Sequence, residues 1–176
     1  MLNYDEIWMA PSSLFEDIEK RVPFFGVIVE MGSGHGTDRL QQNYSVTSFE
    51  HDPVWAARSP SDCFLAPIVA NQHAQSAGQV GWYDLNMVIP NLPNEIAAVL
   101  IDGPPGDIGR MGFLSVLEEI PDHVPIYVDD VHREAEKKLL TRIHAARGGR
   151  IETVVQSSPK VGQRAWAVVL PNGVSE

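Results

Sequence analysis

The chain has 176 residues, 44% of them apolar, which suits one domain (residues 1–176) with a sizeable core. Its 23 acids against 13 bases leave a net charge of −10, which argues against a nucleic-acid partner because phosphate binding needs a basic face. No apolar run approaches the ~20 residues of a membrane span. Met1 to Glu6 lack the basic and apolar regions of a signal peptide, so a cytoplasmic protein with no membrane partner is expected.

In chain order, Ser13 and Glu16 have capping-box spacing, predicting a helix over 14–21 that Pro23 ends. A strand follows over 27–30. The next helix should start with Thr37 or Asp38 as its cap. Val and Thr alternate in a second strand over 45–50. A third strand over 64–69 contains Pro67, which argues against a central place. Cys63, the one cysteine, borders that apolar run and reads as a buried, inert thiol. Residues 70–95 read as a long loop with some short structure. The apolar run 97–101 suits a central parallel strand, and Asp102-Gly103-Pro104-Pro105-Gly106 must turn sharply after it. A helix over 113–120, a strand over 126–128 and a helix carrying Ala135, Leu139, Ile143 and Ala146 come next. Gly148-Gly149 stops that helix. Strands over 151–156 and 165–170 are joined by a link short enough to force a hairpin, so the last strand is antiparallel. The whole is an α/β three-layer sandwich with a mostly parallel, Rossmann-like sheet.

The most informative stretch is Val27-Ile28-Val29-Glu30-Met31-Gly32-Ser33-Gly34-His35-Gly36-Thr37. A bare backbone at the carboxyl end of a strand lets a nucleoside-bearing ligand approach closely. Glu30 would repel a pyrophosphate and attract a cation, and S-adenosylmethionine carries an ammonium and a sulfonium without phosphate. Glu50 ends the second strand, where a carboxylate can accept both hydroxyls of a ribose. That placement also fits a nicotinamide-dependent oxidoreductase, but a dinucleotide fingerprint wants Gly or Ala where Thr37 stands.

Glu30-Met31-Gly32-Ser33-Gly34-His35-Gly36 resembles the first motif of class I S-adenosylmethionine-dependent methyltransferases, and the terminal hairpin is similar to the end of their seven-stranded sheet. The resemblance implies a donor held by Glu30, Gly32, Ser33, Gly34, His35 and Gly36, its ribose by Glu50, and its adenine beside His51. That family often has an acid after the third strand. This chain has Ala70-Asn71 there, with Asn71, Trp82, Tyr83 and Asp84 as substitutes. In the second half, Leu100 to Gly106, Gly109-Arg110-Met111 and Val128-Asp129-Asp130-Val131-His132-Arg133 with Glu136-Lys137 are similar to the glucuronoxylan O-methyltransferase group and its bacterial relatives. That likeness implies a hydroxyl acceptor on a small molecule or sugar.

A hydroxyl must lose its proton or have its pKa lowered before it accepts a methyl group. Asp102, Asp129, Asp130 and His132 come from neighbouring strand ends and supply two routes. His132 or one Asp acts as general base, or Asp102, Asp129 and Asp130 bind Mg²⁺. Trp82 and Tyr83 offer an aromatic stack for a substrate, and Arg110 and Arg133 can pair with an acidic one. The chain has little beyond the core fold, so a homo-oligomer is one way to complete an acceptor pocket. The rival readings are the oxidoreductase and a catalytically inactive cofactor-binding module.

Overall fold

The computed structural model describes residues 10–58, 62–158 and 162–173. Seven strands form one sheet, and their order follows from where the apolar runs lie. In chain order they are β1 (Val27–Met31), β2 (Ser45–Glu50), β3 (Cys63–Leu65), β6 (Ala98–Ile101), β7 (Ile126–Val128), β8 (Arg150–Ser158) and β9 (Gly162–Leu170). A two-stranded ribbon is made by β4 (Ile68–Val69) and β5 (Trp82–Tyr83). The main sheet runs β3-β2-β1-β6-β7-β9-β8. β9 is antiparallel to both its neighbours and the other six strands are parallel, as the hairpin argument requires.

Both faces are covered, which is why the central strands are apolar throughout. Val29, Met31, Val99, Ile101, Ile126, Val128, Ala167 and Val169 point to one face. There they meet Leu139, Leu140 and Ile143 of helix α6 (Glu134–Arg147). Ile28, Ala98, Leu100, Tyr127, Trp166 and Val168 point to the other and meet Leu14, Phe15 and Ile18 of helix α1 (Ser12–Arg21). Each fully buried Leu, Ile or Phe contributes roughly 1.5–3 kcal/mol. The remaining helices are short: α2 (His35–Leu40), α3 (Pro53–Arg58), α4 (Gln72–Ser76) and α5 (Leu85–Val88).

Four local expectations need correction. The capping box does not form: Pro11 is the N-cap of α1, and Ser13 Oγ instead accepts a hydrogen bond from Trp166 Nε1 at 2.9 Å. Helix α2 starts after Gly34 rather than at Thr37, which sits at the third helical position and caps from there by accepting the Gly34 N–H. The third strand splits at Pro67. Ala66 N–H still bonds Glu50 O, but Pro67 has no N–H to continue the ladder, and Ile68–Val69 turn away to pair with Trp82–Tyr83. The expected helix over 113–120 is two 3₁₀ turns, Met111–Ser115 and Leu117–Glu119. Arg147 donates to the carbonyls of Leu117, Ile120 and Pro121, so these groups are satisfied without a continuous α-helix. Among the described residues, no helix is long and apolar enough to cross a membrane.

Candidate functional site

The parallel register brings the ends of β1, β2, β6 and β7 to one edge of the sheet. Parallel strands place the residues after their carboxyl ends in a common crevice. Here those residues are the glycine loop after β1, Glu50 and His51, the Asp102–Gly106 turn, and Asp129-Asp130.

The glycine loop is braced by two buried acids. Glu30 Oε2 accepts hydrogen bonds from Thr37 Oγ1 and Ser48 Oγ, each at 2.7 Å, and Glu30 is only 2% exposed. Gly34 N–H donates to Thr37 Oγ1 at 2.9 Å, so Thr37 ties the loop to Glu30. Burial pushes the Glu30 carboxyl up to about 8, against the pull of the two hydroxyls. Glu50 Oε2 accepts from Ser33 N–H at 2.9 Å. Its Oε1 accepts from Asp52 N–H at 2.7 Å and lies 2.7 Å from His51 Nδ1. The His35 ring packs edge-on against Trp55 at 5.3 Å, and Arg58 lies over Trp55 at 4.6 Å. Trp55 and Arg58, with Ser33, Gly34, Thr37 and Asp38, line a shallow opening beside the loop.

Gly32 has φ of +93° and lies against Gly103; a Cβ there would come within 2.9 Å of the Gly103 backbone. The reverse holds too, since a Cβ on Gly103 would be 2.7 Å from Gly32 Cα. The β1 and β6 turns thus touch backbone to backbone, and only glycine permits it.

Asp102, Asp129 and Asp130 converge as expected: each offers a carboxylate oxygen, all within 4.8 Å of one another. Asp102 is 24% exposed at its side chain, whereas Asp129 is wholly buried. Asp129 Oδ2 lies 3.2 Å from Arg164 Nη2, while Oδ1 has no hydrogen-bond partner among the described residues. Burial and the neighbouring Asp102 and Asp130 push the Asp129 carboxyl up to about 8. Burial also raises Asp102, against the pull of Arg110. Asp130 takes a left-handed backbone with φ of +61°, and its Oδ2 meets both Arg110 Nη2 at 3.1 Å and Arg133 Nη1 at 2.9 Å. His132 lies nearby, with Nδ1 3.9 Å from Asp130 Oδ1 and no hydrogen bond to it. Desolvation lowers its pKa, so the imidazole is neutral near pH 7.

Two sequence expectations change here. Arg110 is not available to a substrate. It is 3% exposed and donates to Pro104 O, Asp129 O, Asp102 O and Asp130 Oδ2, stitching the two acid-bearing turns together. Arg133, by contrast, is 44% exposed at its side chain. Trp82 and Tyr83 do not form an exposed stack, since both are fully buried with ring centroids 4.9 Å apart. Asn71 and Asp84 are helix caps. Asn71 Oδ1 accepts from His73 and Ala74 N–H, and Asp84 Oδ1 from Asn86 N–H. Cys63 is half-buried rather than buried, and burial raises its thiol pKa.

Arg164 and Glu136 were not anticipated. Arg164 reaches Asp129 because β9 runs antiparallel to β7, which sets the start of β9 beside the end of β7. Glu136 is 1% exposed, with neither oxygen hydrogen-bonded among the described residues and Oε1 4.0 Å from Arg110 Nε. Its only signal was its place in the second-half motif.

No protein-family model matches the chain, and no curated protein matches it in sequence. Solved structures do match in fold. An O-methyltransferase from Bacillus cereus in complex with SAH superposes with a TM-score of 0.58 at 15% identity, over 92% of this chain and 82% of that one. A methyltransferase from Pyrococcus furiosus gives 0.56 at 16% identity, over 90% of this chain and 81% of that one. An O-methyltransferase from Streptomyces achromogenes in complex with SAM gives 0.53 at 15% identity, over 90% of this chain and 77% of that one. The chain therefore has the class I methyltransferase fold. Nothing in these comparisons singles out the glucuronoxylan group.

Proposed function

We propose that residues 1–176 form one S-adenosylmethionine-dependent methyltransferase domain acting on a hydroxyl oxygen of a small molecule or sugar. The observation that carries this reading is the meeting of a glycine-lined, carboxylate-braced crevice with the Asp102–Asp129–Asp130–His132 cluster at one sheet edge. The crevice fits the donor on its own chemistry. Gly34 leaves open space where a Cβ would meet nothing within 4 Å, Glu50 and Asp102 set carboxylates at the same sheet edge, and Glu30 adds a third charge once a cation draws off its proton.

In this reading Gly32, Ser33, Gly34 and His35 line the donor, Glu50 accepts from its ribose, His51 flanks its adenine, and Glu30 and Asp102 face its positive end; Gly36 instead makes room for the Phe15 ring, 2.9 Å from where its Cβ would stand. The donor, when bound, would supply an electrophilic methyl group and leave with the electron pair of the broken carbon–sulfur bond as a neutral thioether. His132, neutral and free of hydrogen bonds at Nδ1, takes the proton of the acceptor hydroxyl as its oxygen attacks in line. Asp130, beside His132, favours the imidazolium that results. Arg133 offers its exposed guanidinium to an acidic acceptor.

The three clustered carboxylates and the unpaired Asp129 Oδ1 also fit a divalent cation such as Mg²⁺, held by Asp102, Asp129 and Asp130. Such an ion would polarise the acceptor oxygen. Calorimetric titration with S-adenosylmethionine, with and without Mg²⁺, tests the reading. Saturable one-site binding is expected; no heat and no melting shift in either buffer would remove the donor. With an acceptor in hand, Asp102→Ala should abolish turnover while the fold persists. Full activity in excess chelator would eliminate the cation.

A further inference from the structure

We propose that the Tyr83 hydroxyl is a hydrogen-bonding contact for the bound methyl donor. The inference rests on the S-adenosylmethionine reading above and adds a residue from outside the strand-end motifs. Tyr83 enters from β5, the small ribbon, and its ring is wholly buried between Trp82 and the His51 side of the crevice, with centroids at 4.9 and 6.4 Å. Its Oη has no hydrogen-bond partner among the described residues. A buried phenol left unpaired is destabilising, and Phe would supply the same ring without that cost. Ring packing therefore does not account for the hydroxyl.

Its position does. A Cβ on Gly103 would lie 2.7 Å from Tyr83 Oη and 2.7 Å from Gly32 Cα. The hydroxyl thus stands where the glycine loop after β1 touches the turn after β6. Glu50, Asp102, Glu30 and Arg110 are the charged groups whose fields act on it, and the three acids among them are those assigned to the donor. Burial and these carboxylates push its pKa well up, so it stays a neutral phenol able to donate and accept. Trp82 Nε1 is also unpaired, but that indole packs on Gly112, where a Cβ would lie 2.4 Å from its Cγ, and on Phe113, so it faces the core. Gly103 stands beside Tyr83 Oη and carries no side chain to screen the hydroxyl from the crevice.

The test is Tyr83→Phe, read by thermal unfolding of the protein alone and by calorimetric titration with S-adenosylmethionine. The substitution should leave the melting temperature unchanged or higher and weaken donor binding about 5- to 20-fold, the worth of one hydrogen bond. Binding within twofold of the parent would mean the hydroxyl is idle. A melting temperature several degrees lower would mean it serves the fold. Either result overturns the inference while leaving the methyltransferase reading in place. No binding by the parent chain would end both.

Discussion

Glu30 shows how one residue couples the fold to the site. Its carboxyl titrates at about 8 when folded, against an ordinary 4.5, because burial outweighs its two hydroxyl donors. Between those values the folded chain keeps a proton that the unfolded chain has released. Its contribution to stability is therefore full below about pH 4.5 and is lost as pH rises through 8. Glu30→Gln should flatten the fall of melting temperature between pH 5 and 8, measured by calorimetry; an unchanged slope would mean another acid carries it. A cationic ligand favours the ionised form, so donor affinity should rise over pH 6.5 to 8.5 with proton release, seen as heats that vary with the ionisation enthalpy of the buffer. Arg110 acts in the opposite sense. It is the buried cation among Asp102, Asp130 and Glu136, and removing it leaves those acids uncompensated. Arg110→Met should cost about 3–5 kcal/mol in urea unfolding. A loss under 1 kcal/mol would show that Arg133 and Arg164 suffice.

At the scale of elements, the β1 and β6 turns work as one part, because Gly32 and Gly103 pack backbone to backbone. Gly32→Ala meets both a positive φ and a 2.9 Å contact. It should destabilise the fold by about 1–3 kcal/mol and lower donor affinity at least tenfold. Near-parental stability and affinity in that variant would show that the turns can separate freely. Elements with a continuous apolar run and a sharp stop were legible in sequence. β2 (Ser45–Glu50) and β7 (Ile126–Val128) lie where alternation and turn residues put them, and the terminal hairpin follows from its short link. Elements settled by distant partners were not. Ser13 accepts from Trp166, Thr37 caps from the third helical position while donating to Glu30, and Arg147 satisfies the carbonyls of Leu117, Ile120 and Pro121. The site divides in the same way. Acids at strand ends could be read from local pattern, while Arg110 reads locally as a surface cation and becomes a brace only once two turns close around it. Arg164 joins the cluster only through the antiparallel pairing of β9.

Across the whole molecule, apolar groups fill both faces of the sheet and charge is driven to its carboxyl edge. Asp102, Asp129, Asp130 and Glu136 gather there with Arg110, Arg133 and Arg164 between them. Charges crowded in this way cost stability, as is common at functional sites. Asp102 carries the conflict most directly. Burial and Asp130 raise its carboxyl, while Arg110 and Arg164 pull it down. As pH rises and Asp129 ionises near 8, repulsion between the two carboxylates grows. Asp102→Asn removes one of these charges with little change in shape. It should raise the melting temperature relative to the parent by an amount that increases from pH 6 to 9, while turnover is lost. The sign follows from linkage, because an acid whose folded pKa is raised stabilises less as it ionises. A variant that melts lower at pH 9 would show that Asp102 is chiefly the counter-ion of Arg110, and the cluster would then be an ion-pair lattice holding the two turns rather than a site kept under strain for catalysis.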